Sequence, residues 1–139
     1  MKERCVFCEI VADRAPAYRV LEDEHAVAFL TIAPATPGHT LVVPRDHARD
    51  LWDLPEHSFA EVARLVHRVS ALLRTALAPD GMSVTHATGA AAGQEVFHFH
   101  AHVVPRWHGD DARVMWNCRR ASPEELREVL ERVGAARGR

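Results

Sequence analysis

Three histidines alternate with apolar residues in the stretch 96–106, which reads VFHFHAHVVPR. Alternate side chains of a β-strand share a face, so His98, His100 and His102 are expected to point the same way. Imidazole is the side chain whose pKa suits nucleophilic and acid–base chemistry near neutral pH. The row therefore indicates a reactive surface, while a solvated strand face or a purely metal-binding row is the plainer interpretation.

A second group of chemically versatile side chains lies near the N-terminus. Cys5 and Cys8 form a Cys-x-x-Cys pattern, a spacing typical of metal ligands. A redox pair or two buried cysteines would show the same spacing. The pattern alone therefore does not distinguish a metal site from a redox pair or from two buried cysteines. Cys118 has no such neighbour and is interpreted as an apolar filler or a free thiol.

Two helices are predicted from apolar residues at helical spacing. The first is expected over residues 58–77, where Ser58 and Glu61 form a capping box and a Pro-Asp-Gly turn follows. The second is expected from Ser122 to about residue 133, with a tail after it. The apolar stripe of the first helix consists of Phe59, Val62, Leu65, Val66, Val69, Leu72 and Leu73.

Short β-branched runs bounded by Pro, Gly or Asp predict strands at 18–22, 26–31, 39–43, 82–87 and 96–105. Strands therefore come before and after one long helix. This order predicts an α+β fold, a mostly antiparallel sheet with one long central helix and a C-terminal helix. We expect a single domain over 1–139, with a core at about 5–110 and a C-terminal extension at 111–139.

Composition excludes several classes of function. The chain of 139 residues has a formal net charge of −2, which argues against general nucleic-acid binding. No run approaches the ~18 apolar residues that a membrane span needs. The N-terminal sequence lacks a basic region followed by an apolar stretch, so we expect no secretory signal and a cytoplasmic location.

The residues around the three histidines resemble the histidine triad superfamily of nucleotidyl hydrolases and transferases. The similarity rests on His-x-His-x-His, on its flanks at 93–94 and 105–106, and on residues 37–44 (PGHTLVVP) followed by His47. It covers about residues 5–110, including the order of strands and the central helix. The small bacterial branch related to the Hint proteins is most similar. Uridylyltransferases usually lack a histidine at the position of His102.

The resemblance implies a nucleotidyl hydrolase of the nucleoside phosphoramidase type. His100 would attack the α-phosphorus, and water would then hydrolyse the covalent phosphohistidine. His102 would contact a phosphate oxygen or the leaving group, and His39 would orient the triad that begins with His98. Backbone N–H groups near the phosphate would come from Gly93, Gln94 and Glu95, although Gly93 could equally be an ordinary loop glycine.

The resemblance also implies a structural zinc site. In zinc-bearing members, the cysteine pair joins the first triad histidine and a histidine after the strand at 39–43. The matching residues here are Cys5, Cys8, His47 and His98. Two thiolates and two imidazoles suit a closed tetrahedral site.

Two positions depart from the family's pattern for binding ribose. Thr31 stands where many members carry an acidic residue or Asn, and Ala87 stands where an amide is usual. Each lost hydrogen bond is worth ~1 kcal/mol, so the two losses together would lower ribose affinity about tenfold or more. A non-standard nucleotide or another phosphate-linked substrate is one interpretation. Alternatively, His86, Thr31 or a backbone group supplies the missing contact.

Other functions and partners stay open from the sequence. The substrate could be a dinucleoside polyphosphate, an acyl adenylate or a non-standard phosphate ester. Alternatively, the protein could bind nucleotides with vestigial turnover, or zinc could be catalytic. The resemblance implies a homodimer that shares the long helix and a strand. Trp107 and Trp116 are interpreted as packing residues rather than as a cover for the leaving group.

Overall fold

The computed structural model of the protein describes residues 4–112 and 118–137. In these residues the chain forms an α+β fold that contains one short and two longer α-helices. A 3-10 turn at Ala90–Ala92 precedes the last strand. The elements in chain order are α1 (Val6–Val11), β1 (Arg19–Glu22), β2 (Ala26–Leu30), β3 (Thr40–Pro44), α2 (Glu56–Leu77), β4 (Gly81–Thr85), β5 (Ala101–Arg106) and α3 (Pro123–Arg137).

The five strands form one sheet in the order β1-β2-β3-β5-β4, and every neighbouring pair is antiparallel. β5 lies between β3 and β4, so the residues that follow the first two triad histidines enter the interior of the sheet. The connection from β3 to β4 contains the long helix. The predicted α+β fold with its antiparallel sheet, central helix and C-terminal helix is therefore confirmed.

Helix α2 covers one face of the sheet. Its buried side chains recur at helical spacing. They pack in a single cluster with Phe99, Ala101 and Val103 from the triad segment. Two members of the predicted stripe, Phe59 and Leu72, are instead about 40% exposed at its edge. The buried positions on α2 are Val62, Leu65, Val69 and Leu73.

Helix α1 covers part of the opposite face and was not predicted. Phe7 and Ile10 are its buried residues, and they pack against β2 and β3 side chains. Cys5 caps the helix, because its sulfur accepts a hydrogen bond from the Cys8 N–H at 3.3 Å. A helix of six residues is too short to give a periodic apolar signal. This helix places both cysteines beside the triad segment.

Helix α2 begins at Glu56 and not at the predicted Ser58. The preceding turn, in which the Leu54 N–H donates to the Asp50 carbonyl at 3.0 Å, brings Pro55 to the N-cap. The helix therefore starts before Ser58, whose side chain makes no capping bond.

No helix within residues 4–112 and 118–137 is long and apolar enough to cross a membrane.

Strand β5 is shorter than the predicted run 96–105. The segment before it runs along the loop after β3, where the Phe99 N–H donates to the Ala48 carbonyl at 2.7 Å. His98 and His100 thus precede the strand, and only His102 lies within it. The alternation of faces still holds from His98 onward, but Phe97, expected in the core, is 39% exposed beneath the Arg49 guanidinium.

Helix α3 begins as predicted, because the Ser122 hydroxyl accepts a hydrogen bond from the Glu125 N–H at 3.2 Å. It continues through Gly134 to Arg137, so residues 134–137 are helical and not a tail. None of its described side chains is buried. The division into a core and a C-terminal extension stays a prediction.

The burial pattern of α2 gives a test of the core. Leu65→Ala should lower the free energy of unfolding by about 2–5 kcal/mol, because Leu65 is fully buried between α2 and the sheet. Leu72→Ala on the same helix is the matched control and should cost less than half as much, since Leu72 is 41% exposed. Urea unfolding of both variants measures the difference. Equal losses would contradict the assignment of faces.

Candidate functional site

A cleft of about 710 Å³ opens on the α1 side of the sheet. His39, His100 and His102 line it together with Thr31 and Glu95. The rest of its wall is largely apolar and comes from α1, β2, β3 and the loops beside them. Its apolar residues include Val6, Phe7, Ile10, Phe29, Leu30, Ile32 and Leu41. The fold therefore gathers three of the four predicted catalytic histidines in one concave, mostly apolar site.

His100 is held in one tautomer. Its Nδ1–H donates to the His98 carbonyl at 2.8 Å, so Nε2 carries the lone pair. The ring of Phe7 stands edge-on to the imidazole, with centroids 5.2 Å apart. Burial lowers the pKa of His100, although its bond to the backbone opposes this change. The neutral ring thus offers an unprotonated Nε2 as a nucleophile.

A chain of three groups fixes the proton of His102. The Ala35 N–H donates to His39 Nδ1 at 3.0 Å, so the proton of neutral His39 lies on Nε2. That Nε2–H donates to His102 Nδ1 at 2.9 Å. The proton of His102 is therefore on Nε2, where the ring is a hydrogen-bond donor. Burial and then the neighbouring histidines lower the pKa of His102 to about 4, which keeps it neutral.

His98 does not line the cleft but lies below it, fully buried. Its Nε2–H donates to the Pro44 carbonyl at 3.0 Å, which leaves the Nδ1 lone pair free. Nδ1 lies 3.3 Å from Cys5 Sγ, 3.5 Å from Cys8 Sγ and 3.1 Å from His47 Nδ1. Burial lowers the pKa of His98 to about 4, so the ring is neutral and can act as a ligand.

The four potential ligand atoms of Cys5, Cys8, His47 and His98 fit a tetrahedral metal. They all lie within 4.8 Å of one another. Atoms that surround zinc tetrahedrally at its usual bond lengths are about 3.3–3.8 Å apart. Partial burial and the adjacent Cys5 raise the pKa of the Cys8 thiol to about 11. A cation shared by both sulfurs would relieve that cost, so the donor chemistry also suits zinc.

The loop before the triad has a different hydrogen-bond pattern from the one expected. The N–H groups of Gly93 and Gln94 already donate to the carbonyls of Ala90 and Gly89, at 3.0 and 3.1 Å. Among the described residues, the Glu95 N–H has no such partner, which makes it the available backbone donor. Gly93 has φ +100°, a conformation that glycine adopts readily, and a Cβ there would meet no atom within 4 Å.

Gln94 acts within the loop and does not line the cleft. Its Oε1 accepts from the Gly89 N–H at 2.7 Å, and its Nε2 donates to the carbonyls of Arg49 and Val96. The side chain is buried and all three contacts are to backbone. Gln94 therefore ties the loop before the triad to the loop after β3.

Thr31 lines the cleft, and its hydroxyl oxygen accepts from the Ala33 N–H at 3.2 Å. The hydroxyl has one donor to offer a ligand and no charge. Ala87 is not among the residues of the cleft wall. His86, considered as a replacement contact, instead donates its Nδ1–H to the His100 carbonyl at 3.0 Å.

Two contacts to His100 were not predicted from the sequence. One is the edge-on contact of the Phe7 ring with the imidazole, and the other is the hydrogen bond from His86 to the His100 carbonyl. The His86 ring lies against Phe99 with centroids 4.2 Å apart, and its Nε2 accepts from the Thr88 hydroxyl at 2.7 Å. These contacts support the backbone of His100. No sequence pattern links His86 to His100, because the bond joins a side chain to a backbone carbonyl.

The remaining predicted side chains lie away from the cleft. His25, His57, His67 and His108 are exposed, and Cys118 is an exposed thiol. Trp107 is half-buried, and its N–H donates to Asp110, whose carboxylate also pairs with Arg106 at 2.8 Å. Trp116 lies outside the described residues.

Comparison with known proteins agrees with this geometry. Residues 12–109 match the HIT domain family. The chain is 35% identical over 134 residues to protein hit of Bacillus subtilis, covering 94% of this chain and 92% of that protein. A hypothetical histidine triad nucleotide-binding protein from Sulfolobus tokodaii is 35% identical with a TM-score of 0.73, covering 93% of this chain and 88% of that one.

A zinc-bound histidine triad family protein from Mycobacterium smegmatis is 42% identical with a TM-score of 0.76, covering 95% of this chain and 96% of that one. Together with the donor set found here, it confirms the predicted zinc site at Cys5, Cys8, His47 and His98. The family match spans most of the chain and includes all three triad histidines. The protein therefore belongs to the HIT, or histidine triad, family of nucleotide-binding proteins, hydrolases and transferases.

Proposed function

We propose that the protein is a nucleotidyl hydrolase that cleaves nucleoside phosphoramidates through a covalent intermediate on His100. The observation that carries this proposal is the hydrogen bond from His100 Nδ1–H to the His98 carbonyl, which leaves Nε2 unprotonated toward the cleft. The nucleotide-binding name of the Sulfolobus relative supports a nucleotide as the ligand. The apolar wall beside α1 suits a flat base.

The first chemical step forms a bond between His100 Nε2 and the α-phosphorus and breaks the P–N bond, and the bridging nitrogen, protonated beforehand, leaves as a neutral amine. The attacking ring gains positive charge, which the His98 carbonyl stabilises through the Nδ1–H bond. His102 Nε2–H and the Glu95 N–H would donate to the phosphate oxygens or the leaving nitrogen. Water then attacks the phosphorus, and the nucleotide leaves His100 in its original tautomer.

His39 acts through His102. The hydrogen bond from His39 Nε2–H keeps the lone pair of His102 on Nδ1, away from the phosphate oxygens. A lone pair that faced these oxygens would repel them. The Ala35 N–H in turn fixes the tautomer of His39. We therefore assign His100 and His102 as catalytic residues and His39 as a positioning residue.

The zinc ligands position the nucleophile from below. When bound, the metal supplies a rigid cross-link between the N-terminal segment, the loop after β3 and the triad. His98 contributes its ring to this site and its carbonyl to His100, so the same residue connects both. All four ligand positions are filled by protein atoms, which favours a structural over a catalytic role.

Other substrates of the same chemistry and a binding-only protein are the alternatives. Dinucleoside polyphosphates and acyl adenylates present an α-phosphorus to the same nucleophile. The complete set of oriented histidines favours turnover over vestigial binding.

A cytoplasmic location is in keeping with thiolate ligands, because reducing compartments preserve them.

A homodimer is the assembly that we propose. β4 is an edge strand of the sheet, and Val84 on it is 53% exposed. Phe59 and Leu72 of α2 are also partly exposed. An open strand edge and apolar side chains on the adjacent helix are features that a second copy could cover.

Turnover of adenosine 5′-phosphoramidate tests the nucleophile. His100→Ala should lower kcat by about 10³-fold or more, because the other two histidines among the described cleft residues have no ring nitrogen with a free lone pair. His67→Ala is the matched control, since His67 is an exposed histidine of α2 and should keep the wild-type rate. Zinc content is measured in each preparation. Near-normal turnover by His100→Ala, or none by the folded wild type with zinc bound, would contradict the proposal.

The metal assignment predicts one zinc ion per chain. Cys8→Ser should reduce this stoichiometry and lower the thermal midpoint by about 5–10 °C, because the cross-link is lost. Cys118→Ser removes an exposed thiol and should change neither quantity. Elemental analysis and calorimetry give both readouts. Loss of activity with an unchanged midpoint on zinc removal would indicate a catalytic metal instead.

Weak recognition of ribose predicts little discrimination between sugars. Wild-type kcat/KM for ribose and 2′-deoxyribose phosphoramidates should differ by less than about threefold, because Thr31 can donate only one hydrogen bond. Thr31→Asp should raise the ribose preference about tenfold, since a carboxylate can accept from both sugar hydroxyls. A strong ribose preference in the wild type would show that another group makes the contact.

A further inference from the structure

The cleft has an unusual charge for a site that receives phosphate. Glu95 is the carboxylate on its wall, and no lysine or arginine is among the described residues that line it. The histidines there are neutral in the tautomers fixed by their hydrogen bonds. From the described residues of the cleft, a negatively charged ligand would therefore meet one fixed negative charge and no fixed positive charge.

The carboxylate of Glu95 is also uncommitted. It forms no hydrogen bond or ion pair with any residue in 4–112 or 118–137, and its side chain is exposed at the cleft. Arg106, by contrast, is bound to Asp110 through two hydrogen bonds of 2.8 Å. Arg49 lies over the Phe97 ring at 5.0 Å. No group in the part of the chain that the structure describes competes with a ligand for the Glu95 carboxylate.

The position of Glu95 places it near the reacting phosphorus. It lies five residues before His100 and lines the same cleft as His100 and His102, whereas the apolar wall for the base comes mainly from α1 and β2. Beyond the phosphorus, a bound substrate carries its leaving group. A carboxylate there repels an anionic leaving group and attracts a cationic one.

We propose that Glu95 selects nucleoside phosphoramidates whose leaving amine carries a second, positively charged amino group. This inference rests on the function proposed above and names the leaving group that the function left open. The substrate reacts with its bridging nitrogen protonated. His100 Nε2 bonds to phosphorus, the P–N bond breaks and the amine leaves with that proton. Water then releases the nucleoside monophosphate, and its surplus proton passes to solvent.

Three adenosine 5′-phosphoramidates of equal chain length test the selection. Their leaving amines end in an ammonium, a hydroxyl or a carboxylate group. Wild-type kcat/KM should be highest for the ammonium compound, by about three- to tenfold over the hydroxyl compound. The carboxylate compound should be the slowest. The preference should weaken at high salt, because screening acts on an exposed charge pair.

Two substitutions assign the preference to Glu95. Glu95→Gln should abolish the difference in kcat/KM between the ammonium and hydroxyl compounds. Glu95→Lys should make the carboxylate compound the best of the three. Glu56→Gln, an exposed carboxylate at the start of α2, should retain the wild-type order.

The outcomes separate this inference from the proposed function. Equal rates on all three compounds in the wild type, or an unchanged order in Glu95→Gln, would overturn the charge selection and leave phosphoramidase activity intact. Turnover of none of the three by folded protein with zinc bound would overturn both.

Discussion

The site depends on His98, which uses three of its atoms to connect three parts of the fold. Its Nδ1 faces the two cysteine sulfurs, its Nε2–H donates to the Pro44 carbonyl, and its own carbonyl accepts from His100. The last bond determines which ring nitrogen of His100, the proposed nucleophile, is unprotonated. A shift of His98 would therefore disturb the metal ligands, the end of β3 and the tautomer of His100 together.

The pairing of β5 with β3 orients the other two histidines of the site, His102 and His39. His102 lies in β5 opposite Leu41 of β3, and Leu41 is two residues after His39 in the chain. This register brings the two rings together, and the backbone N–H of Ala35 completes the chain of hydrogen bonds. Backbone groups thus set the protons of both His100 and His102, so the arrangement needs no buried charge to maintain it.

Much of the fold and of the site could be predicted from the sequence, because periodic burial and motif spacing are local signals. The alternation of His98, His100 and His102 with Phe99 and Ala101 predicted which side chains share a face. The start of α2 was wrong by two residues, since a turn built by Asp50 overrides the capping signal at Ser58. Helix α1 was missed because six residues give no period.

The hydrogen bonds of the site were less accessible to sequence reasoning. Gln94 was expected to offer its N–H to phosphate, yet that group and its side chain bind backbone within the loops. The bond from His86 to the His100 carbonyl also has no signature in the chain. Such contacts join side chains to backbone atoms, whose positions depend on the complete fold and not on residue spacing.

The proposed reaction requires that the fold keep His100 neutral, with its proton on Nδ1. Long-range ¹H–¹⁵N correlation spectra of histidine-labelled protein with zinc bound, assigned with His100→Ala, measure the tautomer directly. We expect a neutral His100 ring at pH 7 with a protonated Nδ1 and an unprotonated Nε2. A proton on Nε2, or a doubly protonated ring, would contradict it, because neither form can attack phosphorus.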